Sequence, residues 1–176
     1  DAGLSRGLGD VYKRQVIFSP DGKYLVTSMQ ENRLHFWRLK DKYAAGMSGY
    51  VTKVKSFAFA HDSKYLATSG AEYTVCWPFD GDGPEGREPI CFPYLGKKLV
   101  KLVEPFPNEN AIFTGFSDGS VFLSQIENLD NTIIIRSSTS SEVSAIAVTS
   151  DRSNLLIGDM GGNILWTSIW GDEENN

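Results

Sequence analysis

From residue 16 onward, short apolar runs alternate with polar turns. "VIFSPDGKYLVTS" (16–28) reads as strand, turn and strand: Asp21-Gly22 reverses the chain, and the period-2 alternation that follows places Leu25 and Thr27 on one side. "AHDSKYLATS" (60–69) repeats "SPDGKYLVTS" (19–28) 41 residues later, with Leu66 and Thr68 at the matching places. A turn and a strand written twice point to a repeated structural unit.

Each unit carries an apolar strand, a turn, a second strand rich in Leu and small residues, a polar turn, and a third strand ending in an aromatic or apolar residue. Four copies align: 16–37, 54–77, 103–123 and 143–166. Trp37, Trp77, Leu123 and Trp166 close their third strands at intervals of 40, 46 and 43 residues. These intervals match the roughly 40–45 residues of a four-stranded propeller blade. One such sheet cannot bury both faces alone, whereas stacked units cover one another.

On "FSPDGKYLVTS" (18–28), "TVCW" (74–77), "SDGSVFL" (117–123) and "GGNILW" (161–166), the chain resembles the WD40 repeat family over residues 16–170. The resemblance implies an all-β fold: a WD40-type β-propeller, usually of seven blades, with about four present here as a partial ring. It also implies a rigid, non-catalytic platform for protein–protein interaction. The alternative is a propeller enzyme or small-molecule sensor whose active residues lie in a missing amino-terminal half. The resemblance is to divergent blades, of a type associated with bacterial members of the family. Arg38, Pro78 and Thr167 follow the tryptophans where the family has aspartate. "SGY" (48–50) stands where Gly-His is expected, so the family's relay of histidine, serine or threonine, aspartate and tryptophan is not complete there. The expected divisions are a non-native leader (1–15), blades at 16–42, 43–80, 95–130 and 140–170, a Gly/Pro-rich inter-blade loop at 80–94, and an acidic tail (171–176). Four units suggest the carboxy-terminal part of a longer propeller, with its remaining blades outside this chain.

Composition narrows the function. Seventeen Lys and Arg against 22 Asp and Glu give a net charge of −5, which supplies no basic field for nucleic acid. The chain has no apolar run of the roughly 20 residues that cross a bilayer and no secretory leader, and it reads as cytoplasmic with no membrane partner. Cys76 and Cys91 have no CxxC spacing and read as free thiols in a reducing compartment.

Three short motifs match patterns whose context is absent. "GDGPEG" (81–86) satisfies GxGxxG, but Pro89 and Pro93 forbid the helix that would receive a pyrophosphate. "GFSDG" (115–119) satisfies GxSxG, but a strand-like "SVFLSQI" follows, and both histidines precede Ser117. "DGDG" (80–83) opens like a calcium loop, but its sixth and twelfth positions are Glu85 and Cys91. No catalytic residue, metal or cofactor is expected.

Function then rests on the face formed by inter-strand turns and inter-blade connectors. The candidate residues are Glu31, Arg33, Tyr50, Glu72, Tyr73, Phe116, Asp118, Glu142, Asp159 and Met160. Aromatic and arginine side chains anchor interfaces, burying much area or donating several directed hydrogen bonds. The five acidic members suggest negative potential and a protein partner with a basic segment.

Overall fold

The computed structural model describes residues 15–92 and 98–169, so the expected acidic tail and all but the last residue of the expected leader lie outside the described residues. Fifteen strands form four antiparallel sheets, and there is no helix among the described residues. The first sheet runs β1 (Val16–Phe18), β2 (Tyr24–Ser28), β3 (Leu34–Arg38), β4 (Tyr43–Met47). The second runs β5 (Phe57–Phe59), β6 (Tyr65–Thr68), β7 (Thr74–Pro78), β8 (Ile90–Phe92). The third comprises β9 (Val100–Pro105), β10 (Ala111–Phe116), β11 (Val121–Gln125) and β12 (Asn128–Arg136). The fourth has three strands, β13 (Val143–Val148), β14 (Asn154–Asp159) and β15 (Ile164–Ser168). Strands neighbouring in sequence are neighbours in each sheet, as in blades of a β-propeller.

The sheets divide the chain differently from the repeat. Tyr43–Met47 pairs with β3 and closes the first sheet, although the sequence pattern joins it to the second unit. The Gly/Pro-rich stretch after Phe79 links two strands of one sheet, and Ile90–Phe92 within it is that sheet's fourth strand. Its glycines dock on the first blade: Tyr24 donates its hydroxyl to Gly81 O at 3.1 Å, and Arg38 and Lys40 reach Asp82.

Both faces of the inner blades are buried, and three cores result. Tyr24, Val26, Leu34 and Phe36 of the first blade meet Phe57, Phe59, Leu66 and Phe79 of the second. Ala67, Cys76 and Phe92 meet Val103, Ile112 and Phe116 between the second and third. Phe113 and Val121 meet Val143, Leu155 and Ile157 between the third and fourth. Leu34, Leu66 and Ile157 are fully buried, and burial of each such side chain contributes about 1.5–3 kcal/mol.

The face that a blade turns toward its predecessor exposes a one-residue phase difference. Leu66 lies opposite Trp77, and both pack toward the first blade. In the third blade the residues facing backward are Ile112 and Phe122, with Ser124 opposite Ile112; Leu123 packs on the other side, toward the fourth blade. Ser124 therefore takes the Trp77 position, beside a cavity of about 100 Å³ lined in part by Thr74, Thr114 and Thr132. In the fourth blade Leu155 pairs with Thr167, so Thr167 takes that position, and Trp166 points away from the core, largely exposed.

The repeated phrase makes the turn between first and second strands. In the first blade Ser19 donates to Asp21 and accepts the amides of Lys23 and Tyr24. Gly22, Ser63, Asn108 and Arg152 take positive φ between 60° and 69° at successive turns. The turns are also linked in series. Asp21 N–H donates to Ser63 Oγ at 3.1 Å, Asn110 Nδ2 to Asp62 Oδ2 at 2.7 Å, and Arg152 Nη1 to Glu109 Oε1 at 2.9 Å.

Candidate protein-interaction face

At the opposite end of the sheets, each connector is clamped between turns of the two blades it joins. After the first blade, Asn32 Nδ2 donates to Val51 O, and Thr52 N–H donates to Gly70 O. After the second, Val100 N–H donates to Ala71 O, while Ser117 N–H donates to Leu99 O. After the third, the amides of Thr139 and Ser140 donate to Asp118 O, and Met160 N–H donates to Glu142 O. The result is a continuous rim of backbone held by hydrogen bonds.

This rim carries only some of the candidate residues as free surface. Glu31, Arg33 and Glu72 are exposed, Tyr73 is 40% and Met160 72% exposed. Tyr50 is 8% exposed and Phe116 2%, so both belong to the cores between blades rather than to a docking surface. Asp118 accepts the Ser120 amide and hydroxyl at 3.0 and 2.6 Å, which fixes its turn. Asp159 is buried, accepts the amides of Gly161 and Asn163, and lies 3.6 Å from Arg136. Burial works to raise its pKa, but those hydrogen bonds and the guanidinium outweigh it and hold the carboxyl below the ordinary range.

Tyr50 rebuilds a relay where the sequence suggested a gap. Trp77 Nε1 donates to Tyr50 Oη at 2.6 Å, and Tyr50 Oη lies 3.0 Å from Thr68 Oγ1, which donates to Val75 O at 3.1 Å. Since Thr68 spends its hydrogen on Val75, the Tyr50 hydroxyl donates to Thr68 while accepting from Trp77. All three donors run one way, from indole to backbone carbonyl. Burial pushes the Tyr50 hydroxyl far above its ordinary pKa, so it stays protonated and keeps that direction.

The rim is not a negative surface. Glu31 is ion-paired with Arg33, Glu142 with Lys101 at 2.8 Å, and Asp118 and Asp159 are tied into their turns. Against them stand Lys53, Lys55 and Lys98, all exposed. Lys53, Lys55 and Lys101 line a groove of about 240 Å³ between the second and third blades. Sequence reasoning missed these lysines. The signal was "KVK" (53–55): with Val54 buried, the alternation sends both neighbours outward.

Chemistry finds no assembly here. Among the described residues, no three His, Cys, Asp or Glu side chains gather as a metal would require. Ser117 leads through the Asp118-Gly119 turn into β11, not into the helix of a nucleophile elbow. No helix of the described residues is long and apolar enough to cross a membrane.

Sheets of three or four antiparallel strands, stacked face to face with a clamped rim, define a partial β-propeller. The family model for the WD domain, G-beta repeat, matches residues 9–38, and the four all-β sheets are consistent with a partial propeller of that type. The match begins inside the stretch expected to be a leader. No curated protein matches the chain.

Proposed function

We propose that this chain is a non-catalytic scaffold that engages a protein partner across the rim of turns and connectors, the role in which WD40 repeats generally serve. The observation that carries the reading is the rim itself: Arg33, Tyr73 and Met160 stand out from backbone whose connectors are pinned on both sides. Tyr73 buries area with few rotatable bonds, Arg33 offers several directed donors, and the pre-ordered backbone beneath them spares the cost of ordering a loop. The acidic residues there are largely neutralised within the chain, so no basic segment is required of the partner.

The test is quantitative capture of protein by the chain and by the triple variant R33E/Y73E/M160E, with K23E at the opposite end as control. Loss of captured partner in the triple variant alone is the expected result. Equal capture by all three proteins would overturn the proposal.

A further inference from the structure

We infer that the groove between the second and third blades binds an acidic peptide segment, rich in Asp and Glu; this rests on the rim being a protein-binding surface. The chain is acidic as a whole, yet its uncompensated charge at this place is positive. Lys101 has Glu142 at 2.8 Å, whereas Lys53, Lys55 and Lys98 have no acidic partner within ion-pair distance among the described residues. On the acidic side of the rim, Glu31, Asp118, Glu142 and Asp159 are engaged in ion pairs or turn bonds, which leaves Glu72 without an ion pair among the described residues.

The groove has a shape as well as a charge. Its volume is about 240 Å³, with Ser69 and Val100 in its lining beside Lys53, Lys55 and Lys101. Its walls are fixed: Ser69 Oγ accepts the amides of Lys55 and Ser56 at 3.1 and 3.0 Å, Gly70 N–H donates to Val100 O, and Val100 N–H donates to Ala71 O. Buried Val54 holds the connector between the two lysines, so their stems leave a rigid base while their ammonium groups stay in water. Carboxylates on an extended strand of peptide meet such a row one after another. The net charge of −5 repels any polyanion, and a row of only three lysines suits a short acidic segment rather than a nucleic acid backbone, whose binding needs a longer basic track.

The experiment is fluorescence anisotropy of labelled octaglutamate, octalysine and oligothymidylate with the 176-residue chain at low ionic strength. Octaglutamate should bind, weaken as salt is added, and weaken about tenfold in K53E/K55E and less in K53Q/K55Q, with unchanged melting. Octaglutamate that fails to bind, or binds K53E/K55E equally well, would overturn the inference, as would tighter binding of octalysine or equal binding of oligothymidylate. Where octaglutamate fails but the rim variant R33E/Y73E/M160E still loses its captured partner, the acidic-segment inference falls and the scaffold reading stands. Where both tests fail, both readings fall.

Discussion

Trp77 donates its indole N–H to the hydroxyl of Tyr50 at 2.6 Å, joining a connector to the third strand of the blade that follows it. A tyrosine performs this task because its oxygen accepts one hydrogen bond while its O–H donates another. The connector, the second strand and the third strand are thereby locked by side chains that are not adjacent in sequence.

Replacing Tyr50 with Phe removes both bonds and leaves the Trp77 N–H without its acceptor. The expected loss is about 1–3 kcal/mol in urea denaturation. Y50H should lose less than Y50F, because a neutral imidazole also offers one donor and one acceptor. Equal stability of Y50F and the unaltered chain would show that the relay contributes nothing.

The turn at 149–153 makes a pH prediction. The Thr149 hydroxyl donates to Asp151 at 2.5 Å, with the Ser153 amide and hydroxyl at 3.0 and 2.8 Å, and together they lower the Asp151 pKa to about 2. An unfolded aspartate titrates near 3.9, so the folded pKa is depressed. Its stabilisation is then complete above about pH 4 and disappears as pH falls through about 2. D151N should be less stable than the unaltered chain at pH 6, with the difference vanishing toward pH 2; a difference independent of pH would contradict the assignment.

Glycines at positive φ should differ according to their surroundings. A Cβ at Gly22 (φ 69°) meets open space, whereas one at Gly119 (φ 89°) runs into Thr139 Oγ1 and comes within 2.5 Å of Ser141 O. G22A should cost about 1 kcal/mol, from backbone strain alone. G119A adds a clash with backbone and should cost about 2–3 kcal/mol or more, read as a lower melting temperature. Similar melting of the two variants would be the contrary result.

The two thiols should separate kinetically. Cys76 is fully buried between the second and third blades, and burial pushes its thiol well up; Cys91 is exposed. A thiol reagent should therefore modify one cysteine in the native chain and two after denaturation. Rapid labelling of both in the native state would mean that the core between these blades opens readily.

The parts of the fold legible in sequence are those where composition and geometry coincide. The turn phrases ending in "KYLVTS" and "KYLATS" do form the same turn and second strand, with Leu25 and Leu66 each opposite a tryptophan. Phase was not legible in the last two blades. Apolar residues fill both parities of these strands, in the third blade with both faces covered and in the fourth with one face exposed, so alternation no longer says which side faces which neighbour. Leu123 and Trp166 therefore align with Trp77 in sequence, while Ser124 and Thr167 occupy its place in space. The outer strands Tyr43–Met47 and Ile90–Phe92 are short, and their pairing depends on chain reversal rather than on their own pattern. At the rim, residue type suggested exposure for Tyr50 and Phe116, whereas their neighbours place both in the cores. The lysines were visible in sequence, but their freedom from acidic partners depends on which carboxylates other side chains had already engaged.

The three junctions along the turn end of the sheets use three different pairings: an amide on a serine hydroxyl, an asparagine on a carboxylate, and an arginine on a carboxylate. Each blade thus bears an address as well as a shape. The second blade, grafted into the place of the third, would bring Asp62 and Lys64 toward Arg152, where Glu109 now stands. Repetition in the sequence specifies a common building plan, while each joint is closed by its own pair of groups.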